Sequence, residues 1–375
     1  MSTGRQSAIS SREIFLVTGV TGKVGYQAAL YLLEKKLPVR VLLRKDAARA
    51  AEFRAKGAQV IVGDLMSTHD VRRAVTKDVK AALFVPAIDL MMIQAAAVFA
   101  AAIEDAQVPH LTMLSQWYAS PNHPSTHTQQ IWLAERIFLR LAPTTVVTRI
   151  RVGLFADNHL SRGLLANAIH LGVIPNFWED GGMAPVSNED LGASCAATMA
   201  EPARVARHGI VYRPTGPKLM KFTDMVEVVS KVVGRPVTEM HLGKRMAMKA
   251  MTQGGLPWFP QQAVLEYAEA YSARAQELVV PTDHVEYLTG RAPESYEVTV
   301  CRYAKVEGAA SFGGALKAMG QFMSILMTSA FDIPKEMTHI QIPKGSVEPM
   351  NSEEWAREME EVRATQYLMK DHSRE

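Results

Sequence analysis

Cysteine is scarce in this sequence. Only two cysteines occur among the 375 residues, Cys195 and Cys301, and they form no C-x-x-C pair. A disulfide framework and a cysteine-based zinc site are therefore excluded as organising features. His123 and His127 have no cysteine or carboxylate at ligand spacing nearby, so we predict no metal site. This cysteine usage fits a reducing compartment, and we expect a cytoplasmic protein.

A dominant charge of one sign is also missing. The chain carries 41 basic and 38 acidic residues, for a net charge of +3. Binding to nucleic acid needs a concentrated basic surface, so we expect no nucleic-acid partner. The composition is 48% hydrophobic, which is ample for a well-formed core in one large or two modest domains.

Long apolar runs are absent as well. Residues 1–12 are polar and serine-rich, with no apolar core of a signal peptide, and we expect a disordered lead-in. The only stretch near membrane length, Phe312–Phe331, contains Lys317 and Gln321 and repeats its bulky residues at helical spacing. This pattern favours a helix packed on the body or on another subunit, with a membrane-surface helix as the alternative. We therefore expect no integral membrane segment.

The most informative segment that is present is the glycine-rich stretch 18–25. It follows the apolar run Ile14–Val17 and precedes a helix-like run that ends at Lys36. In a strand–turn–helix unit, the first of three such glycines permits a tight turn, the second admits a pyrophosphate, and the third lets helix and sheet pack closely. Gly19, Gly22 and Gly25 therefore predict a dinucleotide site, against the alternative of a plain turn.

The first 150 residues alternate apolar runs with helical patterns, which is typical of a parallel sheet in an α/β, Rossmann-like doubly wound fold. The predicted strands are Glu13–Thr18, Pro38–Leu43, Gln59–Val62, Ala81–Val85, His110–Leu114 and Thr145–Ile150. The predicted helices between them are Lys23–Lys36, Ala47–Lys56, Leu90–Gln107 and Gln129–Leu141.

After Arg151, helical pieces, turns and short strands mix. The predicted pieces are strands at Pro185–Val186 and Gly209–Arg213, helices at Thr223–Val233 and Gln261–Leu278, and a helix start capped by Ser352. We expect a nucleotide-binding domain over 13–155 and a smaller α/β substrate lobe over 156–305, interleaved with the first. Residues 306–375 are expected to form a helical extension through which the chain could form a homo-oligomer.

Charged residues follow the second and third predicted strands. Arg44 and Lys45 stand where an acidic residue would bind the ribose 2′-hydroxyl of NAD, and arginine accommodates a 2′-phosphate instead. The sequence thus favours NADP(H) over NAD(H), although Asp46 and an ordinary solvated basic pair are the competing interpretation. Asp64 could accept from the adenine amino group or cap a turn. Pro86 ends the fourth strand, where the chain passes near the nicotinamide ribose.

The fifth strand ends at a polar and aromatic cluster. Ser115 could hydrogen-bond nicotinamide or substrate, and Trp117 could stack on an apolar substrate; a capping serine and a buried tryptophan are the alternatives. No Tyr-x-x-x-Lys pair follows, so the usual proton donor of short-chain dehydrogenases is missing. Tyr118 and His127 are the candidates for that role, with a surface histidine as the alternative for His127.

These motifs together resemble the NmrA-like branch of the atypical short-chain dehydrogenases/reductases, over roughly residues 13–303. The similar segments are Val17–Gly25, Val41–Arg44, Gly63–Leu65, Arg151–Asn158, Val186–Gly192, Val233–Val237 and Leu288–Pro293. Two departures stand out. Val152 replaces the family's proline, and Thr128, Gln129, Gln130 and Ile131 occupy the region where many catalytic members carry a lysine.

The resemblance implies NADP(H) held in a crevice between a Rossmann sheet and a smaller lobe. It implies that Thr21, Lys23 and Val24 lie beside the glycines at the pyrophosphate. It also implies that Leu65 lies near adenine, and that Phe155 and Asn158 shape the inner cleft.

Two functions follow from these expectations. The first is an NADPH-dependent reductase of a small hydrophobic or aromatic acceptor, such as a carbonyl, a quinone or a conjugated double bond. The second is a non-catalytic NADP(H)-sensing protein that binds a regulatory partner, which the missing lysine would suit.

Overall fold

A seven-stranded parallel sheet forms the centre of the molecule. The computed structural model describes residues 13–45, 47–123, 125–141, 145–161, 164–176, 181–272 and 280–328. Within them the strand order is β3-β2-β1-β4-β5-β6-β8, and every neighbouring pair is parallel. The order reverses between β1 and β4, which is where the connections cross from one side of the sheet to the other. This is the doubly wound, Rossmann-like α/β fold that the sequence predicts.

The strands of the large sheet are β1 Ile14–Thr18, β2 Val39–Leu43, β3 Gln59–Val62, β4 Val79–Phe84, β5 His110–Gln116, β6 Val146–Val152 and β8 Val211–Tyr212. A second, two-stranded parallel sheet pairs β7 Val173–Asn176 with β9 Thr238–His241. The first six predicted strands are confirmed within a few residues. The predicted strand at 185–186 is only an isolated bridge between Val186 and Phe155.

Helices cover both faces of the large sheet and build the lobe beside it. They are α1 Lys23–Glu34, α2 Ala47–Ala55, α3 Thr68–Ala74, α4 Met92–Ala106, α5 Thr126–Phe138, α6 Leu164–Leu171, α7 Asn188–Ala200, α8 Pro202–Val205, α9 Phe222–Val233, α10 Lys244–Gln253, α11 Trp258–Ser272, α12 His284–Thr289, α13 Tyr296–Glu307 and α14 Phe312–Met327. One 3₁₀ turn follows α5 at Leu139–Leu141.

Three apolar clusters hold these layers together. On one face of the sheet, α1, α2, α7 and α12 pack against β1 and β2 around Leu32 and Phe53. On the other face, α3, α4 and α5 pack around Phe84 and Phe99. The third cluster, around Phe222 and Val300, forms the core of the lobe. Both α7 and β8 come from residues beyond 155 yet belong to the layers of the large sheet; the division into a nucleotide-binding domain and an interleaved lobe stays a prediction.

Helix α14 carries an unusual surface. One side packs on α6, where a side chain at Gly314 would collide with the ring of His170. An adjacent stripe is apolar but exposed, and consists of Phe312, Leu316, Met319, Met323 and Met327. Homo-oligomerisation through this extension stays a prediction. Among the described residues, no helix is both long and apolar enough to cross a membrane.

Several sequence-based expectations fall outside the described residues. They are the disordered lead-in at 1–12, the contribution of Asp46, the end of the helix predicted to reach Leu278, the end of the one predicted to reach Phe331, and the helix start at Ser352.

Candidate functional site

The glycine-rich turn connects β1 to α1 and is shaped by close backbone contacts. Gly19 has a φ of +68°, which L side chains rarely adopt, and its carbonyl accepts a 2.9 Å hydrogen bond from the amide of Gly22. A Cβ at Gly25 would lie 2.5 Å from the carbonyl oxygens of both Thr18 and Gly19. No side chain caps the start of α1, where Gly22 is the N-cap residue. The turn therefore leaves room and amide donors for an anion such as a pyrophosphate.

Thr18 fixes the crevice beside this turn. Its hydroxyl donates to the carbonyl of Leu83 at 3.0 Å and accepts from the amide of Val85 at 3.0 Å. These two bonds hold the carboxyl ends of β1 and β4 together at the point where the strand order reverses. Open α/β sheets bind ligands in the crevice outside such a point. No sequence motif indicates this role for Thr18.

Two exposed cations follow β2, and we call Arg44 and Lys45 the β2 end of the crevice. Neither forms a hydrogen bond or an ion pair with another described residue. The nearby Arg49 differs, since its guanidinium pairs with Glu52 at 2.8 Å and lies over the ring of Tyr26 at 4.0 Å. The β2 end thus offers positive charge that no other described residue neutralises.

Asp64 follows β3 and forms a local turn. Its Oδ1 accepts from the amide of Met66 at 2.9 Å, and its own amide donates to Asp70 at 3.1 Å. The turn-capping interpretation of Asp64 is therefore realised. Leu65 is partly buried against the core on the α3 side of the sheet. Contact of either residue with adenine stays a prediction.

The loop after β4 presents apolar side chains to solvent. Pro86 is partly buried there, whereas Ile88, Leu90 and Met91 are 42%, 41% and 52% exposed. Gln130 on α5 donates to the carbonyl of Leu90 at 3.1 Å and so ties this loop to the helix. The exposed apolar side chains stand beside the strand end, as expected for the wall of a crevice that receives an organic ligand.

Buried charges surround Ser115, and we call Ser115, Glu135, Arg149 and Arg151 the β5–β6 end. Ser115 and Arg151 are directly opposite each other in the pairing of β5 with β6. The Ser115 hydroxyl donates to Glu135 Oε1. Arg151 binds both oxygens of Glu135, at 2.9 and 2.7 Å, and Arg149 adds a third contact at 2.9 Å.

The protonation state of Glu135 follows from these contacts. Burial by itself would raise the pKa of the carboxyl, but the two arginines and the Ser115 hydroxyl outweigh burial and hold this pKa at about 2. Glu135 is therefore ionised and engaged with all three neighbours. The hydroxyl of Ser115 already has an acceptor inside the protein.

Aromatic rings fill the space after β5. Trp117 is 2% exposed and has the guanidinium of Arg213 5.5 Å from its ring. Tyr118 stacks on His123 at 6.0 Å and meets Tyr267 of α11 at 5.6 Å. Both predicted residues thus lie in a packed aromatic wall at the carboxyl end of the sheet.

His127 is buried in the first turn of α5, with its ring edge-on to Phe259 at 6.3 Å. The expectation of a surface histidine is therefore wrong, because α5 begins at Thr126 and packs this side chain against α11. Burial lowers the pKa of His127 to about 4. At neutral pH the ring is uncharged, and any general-acid role would have to be carried by a neutral imidazole.

Phe155 and Asn158 lie just after β6. Phe155 is partly buried and pairs with Val186 in an isolated bridge, and its carbonyl accepts from the amide of Asn158 at 3.1 Å. Between them, Asp157 is fully buried, and its Oδ2 contacts both Lys23 Nζ and the Tyr303 hydroxyl. Lys23 and Asn158 are thus brought to one region. Asp157 and Tyr303 had no sequence signal.

The predicted residues fall on one edge of the sheet because each group follows the carboxyl end of a parallel strand. Gly19 to Gly25 follow β1, Arg44 and Lys45 follow β2, Asp64 and Leu65 follow β3, Pro86 follows β4, Ser115 to Tyr118 lie at the end of β5, and Phe155 and Asn158 follow β6. His127 alone does not follow a strand: it lies on α5, and its side chain is buried against α11. Within the described ranges, no group of histidine, cysteine and carboxylate side chains has a geometry that could hold a metal ion.

The residues present fit a dinucleotide. The turn packs on α1 so closely that a Cβ at Gly25 would collide with the carbonyl oxygens of Thr18 and Gly19, no side chain caps the amides of α1, and the cations of the β2 end have no partner among the described residues. A protein-family model described as NAD(P)H-binding matches residues 19–139, which include the glycines of the turn and the residues at the ends of β2, β3, β4 and β5.

Curated proteins similar to this chain are reductases. The chain is 29% identical over 305 residues to an NAD(P)H azoreductase from Xenophilus azovorans, covering 80% of this chain and 100% of that protein. It is also 29% identical over 282 residues to a (4-alkanoyl-5-oxo-2,5-dihydrofuran-3-yl)methyl phosphate reductase from Streptomyces griseus, covering 74% and 93% of the two chains.

Solved structures share the fold at lower identity. An NADPH-dependent quinone oxidoreductase from Escherichia coli, in complex with NADPH, has a TM-score of 0.66 at 21% identity, over 77% of this chain and 99% of that one. A triphenylmethane reductase from Citrobacter sp. has a TM-score of 0.65 at 21% identity, over 78% and 99%. These likenesses confirm the Rossmann-like architecture.

Proposed function

We propose that this chain is an NAD(P)-dependent oxidoreductase of the NmrA-like group of the atypical short-chain dehydrogenases/reductases, and that it uses NADPH to reduce a small aromatic acceptor. The nicotinamide supplies the hydride. The protein binds the dinucleotide along the strand ends and orients the acceptor.

The observation that carries this proposal is that the Ser115 hydroxyl at the β5–β6 end is already bound within the protein. Among the described residues there, Ser115 donates to an ionised Glu135, and Arg151 binds the same carboxylate. The helix position that holds a lysine in many relatives is occupied by residues with structural bonds: Thr128 donates to Gln116 at 2.7 Å and Gln129 to the carbonyl of His123 at 2.6 Å. An acceptor whose reduced form takes its proton from water suits this site.

A quinone or an azo-linked aromatic is such an acceptor. A quinone becomes a stable anion after hydride addition, so a nearby acid contributes little to its reduction. The exposed side chains of Ile88, Leu90 and Met91 after β4 supply apolar surface for a flat ring. The azoreductase named among the similar proteins supports the same class of substrate.

The β2 end supports a preference for NADPH. Arg44 and Lys45 are exposed and have no protein partner among the described residues, so both are available to a 2′-phosphate. An acidic side chain, which would favour the ribose hydroxyl of NADH, does not occupy either position.

The test is steady-state oxidation of NADPH and NADH by the purified protein against quinones, azo dyes, enones and aldehydes. We expect turnover of quinones or azo dyes with NADPH, and a higher kcat/KM for NADPH than for NADH. Turnover of aldehydes alone would contradict the proposed acceptor class. Tight binding of NADPH without turnover of any acceptor would instead support an NADP(H)-sensing protein.

A further inference from the structure

Lys23, the first residue of α1, forms an ion pair with the buried side chain of Asp157. Lys23 Nζ contacts Asp157 Oδ2, and the lysine side chain is 48% exposed while the aspartate side chain is fully buried. A buried carboxylate is costly unless an opposite charge and hydrogen bonds compensate it. The ammonium of Lys23 supplies an opposite charge in direct contact with the buried Asp157 side chain.

Asp157 has one further partner and one oxygen without any. The Tyr303 hydroxyl of α13 donates to the same Oδ2 that Lys23 contacts. Burial and then the carboxylate of Asp157 raise the pKa of Tyr303, so this hydroxyl stays protonated. Asp157 Oδ1 is buried and has no hydrogen-bond partner within the described part of the chain. The compensation of Asp157 therefore depends on Lys23.

The position of this pair matters because Lys23 directly follows Gly22, the N-cap of α1. The backbone amides at the start of α1, where we propose that the pyrophosphate binds, are thus separated from the Asp157 carboxylate by about the length of the Lys23 side chain. A second negative charge at that distance repels the first, and the interior screens this repulsion weakly. Without Lys23, Asp157 would oppose the binding of any anion at the turn.

We propose that Lys23 is a positioning residue that neutralises Asp157, and that this pair joins the dinucleotide turn to α13 of the lobe. This inference rests on the proposed binding of NADPH at the turn. It assigns the lysine a different task from direct contact with the pyrophosphate. Under this assignment, the loss of Lys23 harms cofactor binding mainly because Asp157 is left uncompensated.

A double-mutant cycle separates the two tasks. The variants are Lys23→Met, Asp157→Asn and the combination of both, since asparagine can still accept from Tyr303 without the negative charge. Lys23→Arg tests rescue by another cation, and Lys35→Met at the other end of α1 controls for the loss of a positive charge. The Kd for NADPH is measured by titration of the purified proteins.

We expect Lys23→Met to weaken NADPH binding about tenfold or more, and the double variant to recover most of this loss. Lys23→Arg and Lys35→Met should bind almost as the unchanged protein does. An unaltered Kd in Lys23→Met would overturn the proposal. So would a double variant that binds as weakly as Lys23→Met, because that result means that the lysine contacts phosphate directly.

A second measurement needs no cofactor. Hydrogen exchange of the α13 segment 296–307 and the thermal midpoint are compared across the same variants in the free protein. We expect Lys23→Met to increase exchange in α13 and lower the midpoint, and Asp157→Asn to reverse both changes in the double variant. If the unchanged protein fails to bind NADPH, the proposed function fails, yet this measurement still decides whether Lys23 compensates Asp157. Equal exchange in all variants would overturn the link to α13.

Discussion

The β2 end and the β5–β6 end of the crevice use arginine in opposite ways. Arg44 is exposed and unpaired among the described residues, whereas Arg151 is 3% exposed at its side chain and binds both oxygens of Glu135. An unpaired surface guanidinium is available to a ligand. A buried, bidentate one is part of the fold. The comparison teaches that charged side chains are available to bind a ligand at the β2 end, whereas at the β5–β6 end they hold the fold together.

The largest expected effect is a loss of stability when the buried ion pair of the β5–β6 end is broken. Arg151→Met removes the charge while keeping similar bulk, and so leaves Glu135 buried with Arg149 as its remaining cation. Removing one partner of a buried ion pair costs about 3–5 kcal/mol. We expect a loss of this size in the free energy of unfolding, measured by urea denaturation. The matched control is Arg44→Met, whose stability should stay within about 0.5 kcal/mol of the unchanged protein. Equal stabilities of the two variants would erase the contrast between the ends.

The second largest expected effect is on cofactor affinity at the β2 end. Arg44→Met should raise the Kd for NADPH about 10- to 100-fold, because a hydrogen bond between charged groups contributes about 1.5–3 kcal/mol. The Kd for NADH should change little, since NADH has no 2′-phosphate. Arg54→Met, at an exposed position on α2, controls for net charge. Equal weakening of both cofactors would place Arg44 away from the 2′-phosphate.

The two ends also differ in how far the sequence predicts them. The β2 end is local: a strand, an arginine and a lysine follow one another, and their position relative to the glycine turn is set by the parallel sheet. The turn 18–25 is equally local, and its strand and helix appear where the pattern predicts them. Sequence reasoning succeeds where a function is carried by consecutive residues.

The β5–β6 end is not local. Glu135 meets Arg151 only because β5 and β6 pair side by side and α5 packs across them. Asp157 and Tyr303 are separated by 146 positions. Helix α7 escaped prediction for another reason: nearly all its residues are buried, including Gly192, whose Cβ would lie 2.4 Å from Gln27 of α1. A helix surrounded by protein has no polar stripe and hence no amphipathic period.

The smallest expected effect on activity is that of replacing His127. We expect this replacement to change the pH dependence of stability and to leave the rate of quinone reduction almost unchanged. Its folded pKa of about 4 lies below the ordinary value of 6.5, so the unfolded chain takes up a proton that the folded chain excludes. The stabilising contribution of the neutral ring is complete above pH 6.5 and is lost as the pH falls towards 4. This loss amounts to about 1.4 kcal/mol per pH unit.

His127→Gln removes this titration. We expect the free energy of unfolding of the variant to fall less steeply between pH 6.5 and 4 than that of the unchanged protein, while His69→Gln, at an exposed position, keeps the original slope. Quinone reduction at pH 7 should be retained in His127→Gln, because the buried neutral ring has no proton to lend at that pH beyond its own N–H. A general acid, by contrast, contributes about 10²- to 10⁴-fold to the rate. A loss of kcat in that range, with an unchanged pH slope of stability, would assign His127 to the chemistry as a proton donor.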